Sequence, residues 1–220
     1  MTITLITGGN KGLGFETARR LIDLGQKVYI GARDADRGQA AAQTLGAHFV
    51  KLDVTSQPSV EAAAAEIAKR EGRLDVLINN AGISGPMLKP EEITADHMRE
   101  TFETNVFGIV RVTNAFLPLL RKSTDPRILI VSSGLGSFAT VTLAYTSSKS
   151  AATMLAIQYA KALPEMRVNA VDPGYTATDL NHNSGPQTVT EGTDAVVKLA
   201  SIAKGGPTGT FTNRAGTMPW

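Results

Sequence analysis

The chain has 220 residues, a formal net charge of +2 and no cysteine, which fits one large domain, excludes disulfides, thiolate metal sites and cysteine nucleophiles, and suits a reducing cytoplasm. Lysine and arginine are dispersed among acids, leaving no electrostatic footprint for nucleic acid, and His48, His97 and His182 lack ligand-like spacing, so no metal site is expected. The apolar run from Met1 to Ile6 turns to glycine by Gly8, too short for a signal peptide or a membrane span, so a cytoplasmic protein with neither a membrane nor a nucleic-acid partner is expected.

Along the chain, short β-branched runs alternate with helical patterns, the signature of a parallel sheet covered on both faces by helices. Seven strands are predicted, near Ile3 to Thr7, Lys27 to Ala32, Ala47 to Leu52, Leu74 to Asn79, Arg127 to Ser133, Arg167 to Asp172 and Gly209 to Asn213. The run Arg127-Ile128-Leu129-Ile130-Val131 is continuously apolar, as a strand buried on both faces requires. No repeat or low-complexity segment divides the chain, so residues 1–220 are expected to form a single domain.

After the first strand comes Thr7-Gly8-Gly9-Asn10-Lys11-Gly12-Leu13-Gly14, which opens the first helix. A helix N-terminus offers backbone N–H groups and a positive dipole to a pyrophosphate. The order Gly-x-x-x-Gly-x-Gly matches neither Gly-x-Gly-x-x-Gly nor the phosphate loop that ends Gly-Lys-Ser/Thr. The second strand ends Gly31-Ala32-Arg33-Asp34, where an NAD-binding fold would place an acid for the ribose. A guanidinium there can grip a 2′-phosphate through two parallel hydrogen bonds, and Lys11 adds a second charge. Both suit NADPH. Asp34 reads as the N-cap of the second helix, and NAD would gain ground if it reached the ribose instead.

The third helix is predicted from Ser56, its N-cap, with Val60, Ala63, Ala64, Ile67 and Ala68 on one face. A long fourth helix carries Met98, Phe102, Ile109, Val112, Phe116 and Leu119 at steps of three and four, and Asn105 falls on the same stripe. A buried amide needs a partner, which is either a group specific to the site or simply the neighbouring strand.

Ser133 lies at the C-terminal end of the fifth strand, the edge where open parallel sheets hold ligands. Tyr145 and Lys149 are four apart at a helix start and share one face. An ammonium beside a phenol favours the phenolate and an oxidised nicotinamide would add further positive field, so the tyrosine pKa is expected to fall into a useful range for proton transfer. The helix is apolar nearly all round through Ala144, Ala151, Ala152, Met154, Leu155, Ala156, Ile157 and Ala160, and a second buried side predicts a homodimer or homotetramer.

Taken together, Thr7 to Gly14, Asp53-Val54, Asn79-Asn80-Ala81-Gly82, Asn105, Ser132-Ser133, Tyr145-Thr146-Ser147-Ser148-Lys149 and Asp172-Pro173-Gly174 resemble a short-chain dehydrogenase/reductase over essentially the whole chain. Gly-Gly-Asn-Lys-Gly, Ala32-Arg33-Asp34 and the terminal stretch ending in Trp220 are most similar to the NADPH-dependent carbonyl reductases. The resemblance implies an α/β, Rossmann-type, doubly wound seven-stranded sheet that binds NADP(H) and exchanges hydride with a small carbonyl or alcohol substrate. It implies Tyr145 as acid, Lys149 tuning it, Ser133 holding the substrate oxygen, and Asn105 holding a water that links Lys149 to solvent. It further implies Asp53 and Val54 at the adenine, Asn80 and Gly82 at the ribose beside Ala81, and Pro173, Gly174, Thr176 and Thr178 around the nicotinamide and phosphates. The serine is assigned as Ser133 by its spacing to the following glycine, with Ser132 one residue away. A catalytically silent NADPH sensor on the same fold is the alternative, and a methyltransferase on a similar sheet fits the glycine spacing poorly.

Two departures stand out. Only Gly134 to Ala144 separates serine from tyrosine, without the insertion of the animal carbonyl reductases. The lid after Gly174 is short and polar, reaching a predicted helix cap at Thr190-Glu191 through Asn181-His182-Asn183-Ser184-Gly185-Pro186. A poorly closing lid, a wide pocket and broad carbonyl acceptance are expected from it. Substrate identity, physiological direction and the choice of dimer or tetramer rest on loops that the sequence does not shape.

Overall fold

The computed structural model describes residues 1–136 and 142–219. Its strands are β1 (Ile3–Thr7), β2 (Lys27–Ala32), β3 (His48–Lys51), β4 (Val76–Asn79), β5 (Arg127–Val131), β6 (Arg167–Val171), β7 (Phe211–Asn213) and β8 (Gly216–Thr217). They form one sheet in the order β3-β2-β1-β4-β5-β6-β7-β8. The seven predicted strands are there and parallel; an eighth, two-residue strand runs antiparallel to β7. The Rossmann-type fold class holds, with one strand more than predicted.

The helices are α1 (Gly12–Asp23), α2 (Ala35–Leu45), α3 (Gln57–Glu71), α4 (Ala95–Phe102), α5 (Gly108–Leu120), α6 (Leu143–Ala162), α7 (Val189–Gly192) and α8 (Asp194–Ser201). They split between the faces because the strands are apolar on both sides. Val60, Phe116, Ala152 and Ala156 of α3, α5 and α6 pack with Leu5 and Ile128. Ala18, Leu21, Ala42 and Leu199 of α1, α2 and α8 pack on the other face with Ile6 and Leu129. Phe116 is wholly buried, and truncating such a side chain to alanine costs about 3 to 5 kcal/mol. Among the described residues no helix is long and apolar enough to cross a membrane.

Local signals account for the helix ends. Asp34 caps α2 and Ser56 caps α3 through their side chains, as predicted. The cap of α7 is Thr188, whose box partner is Glu191, two residues before the predicted cap at Thr190. The long fourth helix is two helices, α4 and α5, joined without a break in the chain direction by a π-turn at Glu103–Phe107. The extra residue shifts the phase. Before the turn the buried residue is Thr101, with Met98 and Phe102 only half-buried; after it the predicted stripe of Ile109, Val112, Phe116 and Leu119 is buried.

Candidate active site

The C-terminal edge of the sheet gathers the motifs. Thr7 at the end of β1 accepts the Asn80 and Ala81 N–H groups at 3.0 Å each, and Asn80 Nδ2 donates to Thr7 and Gly8 carbonyls at 2.9 and 3.2 Å. This locks the glycine loop against the end of β4. Gly14 is required there, since a Cβ would meet Asn80 Nδ2 at 2.5 Å. No side chain caps α1, so its leading N–H groups are left to an anion or to water.

A cleft of about 450 Å³ opens over this loop. Gly8, Asn10, Lys11, Gly12 and Leu13 line it from the glycine loop, and Arg33 from the end of β2. Of the other predicted cofactor residues, Asp53, Val54, Asn80, Ala81, Gly82 and Thr178 line it too, whereas Gly14, Tyr145, Lys149, Pro173, Gly174 and Thr176 do not. Arg33 is exposed and makes no side-chain hydrogen bond or ion pair among the described residues. Asp34 is turned away to cap α2. Lys11 reaches the lid, where its ammonium meets Asp179 at 3.2 Å. Sequence reasoning missed Asp179, Thr104 and Ser84, which also line the cleft; no spacing rule singles them out.

Pro173 and Gly174 border a second cleft, of about 410 Å³, with Gln187 and Arg214. Thr176 is 4% exposed and donates its hydroxyl to Pro173 O at 2.9 Å, so it braces the Pro-Gly turn and lines neither cleft. The lid that follows is closed on itself. Ala177 N donates to Gln187 O at 2.9 Å, Asn181 Nδ2 to Thr176 O at 2.9 Å, and the Tyr175 and Ser184 hydroxyls meet at 2.5 Å. Asn181 and Ser184 spend their side chains on the lid backbone, and the exposed His182 and Asn183 take up positive φ to make the turn. The short lid is thus hydrogen-bonded within itself.

Beside the first cleft stand the proton-transfer candidates. Ser132 is buried, and its hydroxyl donates to Lys149 O at 2.9 Å and meets Thr153 Oγ1 at 2.5 Å, pinning α6 to β5. Ser133 is half-buried and its side chain engages the Tyr145 phenol, which favours Ser133 of the two. Lys149 is 6% exposed; its Nζ donates to Val131 O at 2.8 Å and lies 5.6 Å from the Tyr145 ring centre. Burial pushes the ammonium down to about 8, with the Asp172 carboxylate opposing it. Burial also raises the Tyr145 phenol above its usual value, Ser133 lowers it and Asp172 raises it. In the protein alone the tyrosine pKa lies above its usual value, because desolvation together with Asp172 outweighs Ser133.

Asn105, placed by the π-turn, accepts from Ile83 N at 2.9 Å and donates to Ile83 O and Ser148 Oγ at 2.8 and 3.0 Å. Among the described residues the amide bonds no strand: it ties Ile83, in the loop that lines the cleft, to Ser148 of α6. Its Oδ1 and Lys149 Nζ crowd Gly82, where a Cβ would lie 3.3 and 3.6 Å from them. The loop from Leu135 to Leu143 falls partly, and Trp220 wholly, outside the described residues.

The family model described as short chain dehydrogenase matches residues 2–188. The chain belongs to the short-chain dehydrogenase family. Among relatives of this short-chain dehydrogenase, the short-chain dehydrogenase/reductase ATR10 of Stachybotrys chlorohalonatus is 36% identical over 97% of this chain and 88% of its own. The (-)-isopiperitenone reductase of Mentha piperita is 31% identical over 94% of each. The NADPH-bound carbonyl reductase from chicken fatty liver superposes over 100% of both chains with a TM-score of 0.90 at 28% identity. The protein is thus an NAD(P)-dependent oxidoreductase of the CH–OH/C=O class.

Proposed function

We propose that this dehydrogenase reduces an aldehyde or ketone with NADPH, taking the proton from Tyr145. The observation that carries the reading is the grouping of Ser133, Tyr145 and Lys149 at one point of the sheet edge, beside the cleft bordered by Gly82. A phenol held protonated by its surroundings is a donor at neutral pH, not a base. Ser133 would hold the carbonyl oxygen next to that phenol, and the phenolate left behind would face the Lys149 ammonium. Asn105 acts through the Ile83 backbone as a positioning residue for this corner, its link to a water beside Lys149 being the family expectation.

The cleft suits NADPH over NADH. The glycine loop and uncapped α1 would receive the pyrophosphate, Asp53 and Val54 would border the adenine, and Arg33 with Lys11 would take the 2′-phosphate. Asn80, Ala81 and Gly82 would flank the ribose, with Pro173, Gly174 and Thr178 toward the nicotinamide end. Bound there, NADPH supplies the hydride. The reductase names of the relatives and the NADPH-bound structural neighbour support the direction and the coenzyme. A cytoplasmic location and a homodimer or homotetramer belong to the same reading.

The test follows NADPH absorbance over a panel of aldehydes, quinones, diketones and steroid ketones, with Tyr145→Phe alongside. Turnover lost in the variant supports the reading. Tight NADPH binding with no turnover on any carbonyl would favour a silent sensor instead.

A further inference from the structure

Asp172 is a carboxylate at the reaction centre that neither the proton donor nor the cofactor cleft uses. It stands at the end of β6, two positions beyond Ala170, on the sheet face packed against α6. The residue is 7% exposed. Its Oδ1 accepts the Gly174 N–H at 2.9 Å. Its Oδ2 meets no hydrogen-bond donor among the described residues.

That oxygen lies against Gly134, the residue after Ser133. A Cβ there would lie 3.0 Å from Oδ2 and 3.6 Å from Met218 Cε. The carboxylate is near enough to the reacting groups to act on both Lys149 and Tyr145 electrostatically. The Lys149 ammonium donates to Val131 O and forms no ion pair with Asp172 among the described residues. A carboxylate largely withdrawn from water with one oxygen unused is costly unless a donor meets it. Such a group discriminates strongly between ligands that bring a donor and ligands that do not.

We propose that Asp172 Oδ2 receives a donor group of the substrate, so that the enzyme selects carbonyl compounds carrying a hydroxyl or a protonated amine beside the reacting carbonyl. The inference rests on the reading that Tyr145 protonates a carbonyl held at Ser133, because that placement sets the neighbouring substituent near Gly134 and Asp172.

The experiment compares kcat/KM for acetophenone, its α-hydroxy derivative and its protonated α-dimethylamino derivative, all with NADPH. The wild type is expected to favour at least one donor-bearing ketone over acetophenone by about tenfold or more. Asp172→Leu should erase that preference. Asp172→Asn, which keeps the side chain's size and an acceptor for Gly174, should erase it for the ammonium and largely retain it for the hydroxyl. The ratio compares substrates on one enzyme, so any effect of the substitution on Tyr145 or Lys149 cancels. Preference for one donor alone identifies which group is read. A wild type without preference, or a preference that survives in Asp172→Leu, overturns the proposal. Titrating the same ketones into the NADPH complex of Tyr145→Phe gives the comparison as dissociation constants, independent of turnover. Wild-type rates in Tyr145→Phe would instead sink the proton-donor reading alone.

Discussion

Asp34 gives both carboxylate oxygens to Arg37, Oδ1 accepting the backbone N–H at 3.0 Å and Oδ2 the Nε–H at 2.8 Å. The acid that could have favoured NADH is thereby spent on capping α2, and Arg33 faces the cleft alone. A charge-assisted pair with phosphate contributes about 1.5 to 3 kcal/mol. Arg33→Ala is therefore expected to weaken NADPH binding by about tenfold or more and to leave NADH nearly untouched. Equal losses in the two titrations would contradict the assignment.

Tyr145→Phe removes the transferable proton and little else, since the ring keeps its packing. Turnover should fall by about a hundredfold or more, with the NADPH dissociation constant close to wild type. Steady-state rates and a binding titration on the same preparation check both halves.

Lys149 carries a stability cost that depends on pH. Its ammonium is pushed from 10.5 to about 8 by burial, so between those values the unfolded chain binds more protons than the native one and stability rises with pH. At neutral pH the penalty is on the order of 3 kcal/mol. Lys149→Met should lose activity yet resist denaturant better than wild type at pH 7, with the advantage shrinking as pH climbs from about 8 toward 10. Urea titrations at a series of pH values measure it, and a constant difference would refute it.

Asn105 secures the loop after β4 by pairing both polar groups of Ile83. Replacement by alanine strands those groups at a cost of about 1 to 3 kcal/mol, which should lower Tm by several degrees. Turnover should drop as Ile83 and Gly82 lose their position. A Tm equal to wild type would show that the amide is dispensable.

Helix α6 buries Ala144, Ala152 and Ala156 but leaves Met154 exposed, as is Phe107 ahead of α5. Tyr159 OH donates to Asn114 Oδ1 at 3.3 Å, tying α6 to α5. If this side meets a second copy, light scattering at micromolar concentration should give at least twice the monomer mass, and Met154→Glu should reduce it. A monomeric wild type would leave α6 as a well-packed alanine-rich helix.

The parallel strands are legible in the sequence because each is a short apolar run between glycine-rich or polar turns, and α2 and α3 announce their caps. β8 is not, since two residues such as Gly216 and Thr217 carry no pattern. The π-turn is hidden because seven-residue spacing from Phe102 to Ile109 imitates an unbroken helix while the backbone makes one longer turn. Most of the cleft is legible because glycine and asparagine positions follow from local backbone demands. Asp172 appears in its Asp-Pro-Gly motif, but its free oxygen does not, because that depends on where β6 meets Gly134 and α6. The lid's internal bonds are hidden for a related reason: polar composition says nothing about whether side chains face water or bond their own backbone.

Lys11 belongs to the loop and Asp179 to the lid, and their exposed side chains meet across the mouth of the cleft at 3.2 Å. Such a pair adds little to the stability of the fold. Its weight falls on traffic. If Lys11 takes a coenzyme phosphate as proposed, that phosphate would compete with Asp179 for the same ammonium, and binding the coenzyme would release this tie between loop and lid. Added salt, which screens exposed charges beyond about 8 Å under physiological conditions, would then slow the approach of the anionic coenzyme to Lys11 more than it would disturb the contact pair itself.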